Sequence, residues 1–201
     1  MHRLLSPRIP RSRVRGRVVT GLRGWLAAAW LALALGLLAV PAHADPVNLP
    51  TFTLNPTEEG LLLDFSAKFE LSRVVEDALQ KGVPLVFVAE ATVFQDRWYW
   101  RDKRINTATR AWRLSYQPLT RKYRVTFGGL TQNHDTLADA LAALSSSVHW
   151  KLAEPAQLDG HGVYVEFSYE LDTTQLPRPM QIGIGGQADW SLRVERVRRI
   201  N

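Results

Sequence analysis

Cysteine is absent from the 201-residue chain. Disulfide staples, lipid attachment to a cysteine behind a leader, thiolate metal ligation and thiol nucleophiles are therefore excluded, and an exported domain of this size relies on its core alone. Acidic side chains are absent from residues 1–44, and all 19 of them come later. That acid-free stretch holds Arg3, Arg8, Arg11, Arg13, Arg15, Arg17 and Arg23, followed by an apolar and small-residue run from Trp25 to Val40. A cationic start, an apolar segment shorter than the roughly 20 residues that span a bilayer, and Ala42-His43-Ala44 behind Pro41 form the pattern of a secretory signal peptide. Cleavage after Ala44 starts the remaining chain at Asp45; an uncleaved anchor is the alternative, because the Arg-rich region is long. Both readings lead to the same expectation of an exported domain, in the periplasm or at the outer face of the inner membrane.

A surplus of one charge is lacking as well. Seven of the 25 basic residues lie in the first 24 positions, so residues 45–201 carry 18 basic against 19 acidic groups and the +6 of the whole chain belongs to its start. Near-neutrality gives no global pull toward polyanions, and no nucleic-acid partner is expected. Residues 45–201 suffice for one domain with a substantial core.

Catalytic signatures are missing too. No Gly-x-Ser-x-Gly elbow occurs, and the serines at 145–147 have no base beside them in sequence. His134, His149 and His161 are isolated, without the i, i+4 spacing of a His-Glu-x-x-His zinc site. Gly183-x-Gly185-Gly186 lacks the lysine and the strand-to-helix setting of a phosphate loop and reads as a bend or bulge. No catalytic residue, metal or cofactor is expected. A hydrolytic enzyme with an unrecognised site stays in view as one class, and it requires at least two of His134, His149, His161, Glu166 and Glu170 to meet in one cleft.

What is present is alternation. Leu61, Leu63, Phe65, Ala67 and Phe69 share one parity, with Asp64, Ser66 and Lys68 on the other, as in a half-buried strand. Ser72 opens a short helix with Val75, Ala78 and Leu79 on one face, and Gly82 stops it. Residues 85–94 read as a central strand, continued to residue 101 with Phe94, Trp98 and Trp100 on one side and Arg97, Tyr99 and Arg101 on the other. Strands are predicted at 110–117 and 122–127 around a turn at Pro118-Leu119-Thr120-Arg121. Asp135 or Thr136 caps a second helix carrying Leu137, Ala140, Leu141 and Leu144. Strands follow at 148–152 and 163–171, and a last one brings Trp190, Leu192 and Val194 inward ahead of the basic residues Arg196, Arg198 and Arg199. Eight or so strands and two short helices predict a mainly β chain: a single antiparallel β-sandwich-like domain over residues 45–201.

The densest chemistry lies between Asp96 and Arg124, where nine Lys or Arg and two Asp are interleaved with six aromatic rings. Read functionally, this is a partner- or anion-binding surface built from Arg97, Trp98, Trp100, Arg101, Arg113 and Arg124, with guanidinium forks and aromatic faces as its contacts. Read structurally, it is two solvated antiparallel strands, rings inward and cations outward, with Glu166, Glu170 and Asp172 pairing the cations across the sheet. Trp98-Tyr99-Trp100 cannot all be buried on an alternating strand, so one ring is exposed or covered by another element.

The order of these features resembles a known family, the exported proteobacterial proteins grouped as domain of unknown function 4390 (DUF4390). The residues that carry the resemblance are Leu61 to Phe69 with Leu71, Gly82-Val83-Pro84-Leu85, Arg97-Trp98-Tyr99-Trp100-Arg101-Asp102, Leu114-Ser115-Tyr116, Leu176-Pro177-Arg178-Pro179 and Asp189-Trp190. They span nearly the whole chain after residue 45. The resemblance implies export and carries no activity, cofactor or catalytic residue. It adds a hint of envelope signalling beside a membrane sensor kinase, an envelope or inner-membrane partner. The basic run at the C-terminal end departs from the family pattern, where another aromatic is expected. The leading expectation is a non-enzymatic module that binds a partner through the Arg97 to Arg124 region. The competing class is a small-ligand or anion-binding domain using Arg97, Arg101, Arg113 and Arg124 with Trp98, Trp100 or Trp112 as a stacking wall. A concave pocket where these groups converge favours the ligand, and a flat exposed strip favours a protein partner.

Overall fold

The first clean alternation, from Leu61 onward, forms β2 (Gly60–Phe69), and it pairs antiparallel with β1 (Val47–Thr57) through a tight turn. In that turn Gly60 sits at φ +120°, and a Cβ there would stand 2.1 Å from the carbonyl oxygen of Ala153, so only glycine fits. The structure, a computed structural model, describes residues 47–99, 101–158, 162–184 and 187–200. The signal-like segment before Asp45, with Trp100, His161, Gly185 and Gly186, lies outside the described residues.

The remaining elements are α1 (Arg73–Gln80), β3 (Leu85–Gln95), β4 (Lys103–Gln117), β5 (Lys122–Phe127), β6 (Leu130–His134), α2 (Leu137–Leu144), β7 (Ser146–Ala153), β8 (Val163–Leu171), α3 (Arg178–Ile184) and β9 (Arg193–Arg199). Two antiparallel sheets result, a three-stranded one in the order β1-β2-β7 and a six-stranded one in the order β6-β5-β4-β3-β8-β9. The chain is thus mainly β, as its alternation predicts. Among the described residues there are nine strands and three α-helices, against the expected eight or so and two. Among the described residues no helix is long and apolar enough to cross a membrane.

The sheets face each other across one core. Phe65 on β2 lies 4.9 Å from Phe167, 6.0 Å from Tyr169, 6.1 Å from Trp150 and 6.3 Å from Trp112, ring centre to ring centre, so both sheets contribute to one aromatic cluster. From β3, Leu85, Phe87, Ala89, Ala91 and Val93 point into it and are fully buried. Ser72 caps α1 by accepting the Val75 amide at 3.3 Å, and Val75, Ala78 and Leu79 are buried beneath that helix. Thr136, not Asp135, caps α2, accepting the Asp139 amide at 3.1 Å; the Asp135 carboxylate instead pairs with Lys122 at 2.7 Å.

Three elements carried no recognisable pattern. β1 contains Pro50 and Pro56 and breaks register between Asn48 and Thr51, β6 is largely polar and exposed, and α3 contains Pro179 and Gly183. Gly183 therefore lies within a short helix, while Gly185 and Gly186, the rest of the expected bend or bulge, lie outside the described residues. All three elements lie at the margins of the sandwich, where burial does not enforce a period. The largest correction concerns residues 96–102. The described ones, 96–99, 101 and 102, do not prolong β3 but lie in the connection between β3 and β4, and β4 begins at Lys103, well before the predicted start at Arg110.

Candidate functional site

The β3–β4 hairpin ends in a loop with a fixed base and a free tip. On the outer face of the six-stranded sheet, Phe94 of β3 stacks on Tyr164 of β8 at 5.3 Å. The Tyr164 hydroxyl donates to Asp102 at 2.7 Å, and the amide of Arg97 donates to the same carboxylate at 3.3 Å. One residue earlier, the Asp96 amide donates to the carbonyl of Gly162 at 2.9 Å, and Arg199 of β9 pairs with the Asp96 carboxylate at 3.2 Å. Gly162, at φ +75°, is needed here: a Cβ on it would press within 3.0 Å of the Asp96 side chain. The hydrogen bond from Tyr164 and then the Arg97 amide hold the Asp102 carboxyl below its ordinary value. The same bond, with partial burial, pushes the Tyr164 hydroxyl up to about 12.

Beyond this base the tip is bare. Trp98 is 93% exposed and Tyr99 69%, their rings 5.1 Å apart in a T-shaped contact. Arg97 and Arg101 flank them, with Lys103 and Arg104 just behind, all exposed. None of these four cations forms an ion pair with a described carboxylate. Both acids of the stretch are turned back into the base, so the tip presents rings and unneutralised cations.

The candidate residues do not converge. Arg97, Trp98 and Arg101 occupy the tip, and Trp100 lies outside the described residues. Arg113 and Arg124 stand on the outer sheet face near the opposite end, where Arg113 pairs with Val86 and Thr126 in register, and Arg124 donates to Asn133 at 3.3 Å. From Arg104 to Arg113 along β4 is about 30 Å at about 3.3 Å per residue. Trp112, 4% exposed and stacked on Phe127, offers no wall to a ligand. A cavity of about 650 Å³ opens between β8, α3 and β9, lined by Glu170, Trp190 and Arg193 among others, and it includes none of the candidate residues.

The expected acid pairing across the sheet is replaced by another. β3 separates β8 from β4, so Glu170 pairs instead with Arg193 of β9 at 2.8 Å. Arg110, one of the nine cations, turns inward. Its guanidinium lies 5.1 Å from the Trp150 ring and 5.6 Å from that of Phe127 and donates to the Ser147 hydroxyl. Desolvation lowers its pKa. It belongs to the core wall, and its parity with Trp112 and Leu114 already pointed there.

The residues an enzyme would need are scattered. His134 ends β6, His149 is exposed on β7 of the other sheet, and Glu166 and Glu170 lie on the outer face of β8; His161 lies outside the described residues. Among the described residues no group of three or more His, Asp or Glu side chains is placed to hold a metal ion. Residues 44–199 match the family model described as Domain of unknown function (DUF4390). No curated protein and no solved structure matches the chain.

Proposed function

We propose, from the premise that the chain belongs to the DUF4390 family, that it is an exported, non-enzymatic domain whose β3–β4 tip binds a protein partner in the cell envelope. The observation that carries this reading is the contrast within one loop: a base pinned through Asp96 and Asp102, and an apex where Trp98 and Tyr99 stand in solvent between Arg97 and Arg101. Trp, Tyr and Arg dominate binding hot spots because each contributes large contact area or a planar fork at modest entropy cost. A fixed base lowers that cost further, since the loop does not have to be ordered on binding. A protruding surface rather than a pocket fits a protein more than a small ligand. The cationic flanks suit an acidic rim on the partner, an inner-membrane protein such as a sensor kinase being the class the reading names. The acid-free, Arg-rich start and the apolar run to Val40 support export.

The test separates the two groups of candidates. Tagged wild-type chain, an Arg97→Glu/Trp98→Ala/Arg101→Glu variant and an Arg113→Glu/Arg124→Glu variant are used to capture proteins from envelope fractions of the native host. Both variants keep wild-type circular dichroism and thermal midpoint, because every substituted side chain is at the surface or satisfied only there. The tip variant loses a protein that wild type and the sheet-face variant retain. Retention by the tip variant, or loss with the sheet-face variant alone, overturns the reading.

A further inference from the structure

Among the described residues the two sheets leave four edges, and three are blunted by proline, register breaks or shortness. β1 carries Pro50, Pro56 and a register break, β7 breaks register twice against β2 and holds His149 at φ 49°, and β6 is five residues long. These are the devices that prevent an edge from templating another strand. β9 has none of these three and is guarded by charge alone, with Arg196 and Arg198 on its core side. It runs for seven residues, Arg193–Arg199, without proline, glycine or bulge, in unbroken register with β8.

Its hydrogen-bonding parity follows from its two ends. The Leu171 amide donates to the Leu192 carbonyl at 2.9 Å, and the Ile200 amide donates to the Val163 carbonyl at 2.9 Å. Even-numbered residues of β9 therefore bond to β8, and Arg193, Glu195, Val197 and Arg199 turn their amides and carbonyls to the open side. The side chains supply a second constraint. Arg193 is held by Glu170 and Glu195, and Arg199 by Asp96. Arg196 and Arg198 are exposed, and neither forms an ion pair with a described carboxylate. They share the parity opposite Phe167 and Val165, on the core side of the six-stranded sheet, and stay exposed although β1 of the small sheet packs against part of β9. Val197, on the other parity, is 62% exposed.

We infer that β9 accepts an extended acidic segment as a seventh strand of the large sheet, with alternate carboxylates opposite Arg196 and Arg198 and apolar residues on the side of Val197. Main-chain hydrogen bonds at the odd positions hold the strand, and the two guanidiniums, about 7 Å apart, select Glu or Asp at i and i+2. The same cations discourage a second copy, since antiparallel pairing of β9 with itself sets arginine against arginine. The site is distinct from the hairpin tip and does not rest on the function proposed for it.

The probe is a synthetic peptide of alternating Glu and Val, with its Lys–Val counterpart as control, titrated into the full chain by fluorescence anisotropy at low and high salt. The Glu–Val peptide binds, more weakly as salt rises, and protects the amides of residues 193, 195, 197 and 199 from hydrogen exchange; the Lys–Val peptide does not bind. Val197→Pro removes only an outward amide, so the fold stays while affinity falls at least about tenfold. Arg196→Glu/Arg198→Glu reverses the preference between the peptides and keeps the inference testable if the proline variant fails to fold. Equal binding of the two peptides, unchanged exchange at the odd positions, or a wild-type dimer that Val197→Pro dissolves overturns it, the last by making a second copy the occupant.

Discussion

Phe167 shows what a single side chain carries in this core. It is buried on β8 and touches Phe52 at 5.2 Å and Phe65 at 4.9 Å, bridging the sheets. Truncation to alanine leaves a cavity that the flanking strands cannot close, and about 3 to 5 kcal/mol of stability is lost. Equilibrium urea unfolding of Phe167→Ala reads this directly, and a loss under about 1 kcal/mol would mean that the cluster collapses around the gap. Burial at this scale was legible from parity: Trp112, Leu114, Val125 and Val194 are buried as their alternation predicts, whereas Trp190 and Leu192 are buried ahead of β9, Trp190 on a short 3-10 helix (Ala188–Trp190) and not on the last strand expected there. Trp98 was not, because its alternation with its neighbours imitates a strand. What turns the chain there is the tethering of Asp102 to Tyr164, 62 positions away, which no local pattern encodes.

The hairpin base has a pH signature of its own. Tyr164 has its hydroxyl raised to about 12 in the folded chain, from about 10 when unfolded, so the fold holds this proton more tightly. The resulting stabilisation is complete below pH of about 10 and is lost as pH rises toward about 12. Denaturation at a series of alkaline pH values is expected to show a shallower decline for Tyr164→Phe than for wild type, with buried Tyr169 present in both. Parallel declines would place no coupling at Tyr164. The strands and helices with one buried face were legible as elements, β2, β5, β8, α1 and α2 within a residue or so. β1, β6 and α3 were not, since exposed elements need no period. The basic run Arg196, Arg198 and Arg199, read as a tail, lies within the edge strand β9, whose register with β8 makes it part of the sheet.

Over the whole molecule, sequence proximity and spatial proximity part company. The Asp96 to Arg124 stretch looked like one surface, yet the long strand β4 carries its two ends apart, and the first described residue, Val47, pairs with Phe69 at the end away from the tip. The Phe69 ring lies 5.3 Å from that of Phe87, and from Phe87 to Gln95 along β3 is about 26 Å. Sheet order could not be read from the sequence, because the chain leaves the large sheet after β6, adds β7 to the small one and returns at β8 beside β3. That return brings Tyr164 and Gly162 to the hairpin and fixes its base. The β4–β5 turn, at the opposite end, provides an internal control, as Leu119 there is fully exposed. The most direct test places a photoreactive benzoylphenylalanine at Tyr99 or at Leu119 in the native host and compares the covalent adducts formed on irradiation. Partner capture at the tip predicts a discrete protein adduct from position 99, absent from position 119 and abolished by Arg97→Glu/Arg101→Glu. Identical adducts from both positions, or none from position 99, would contradict it.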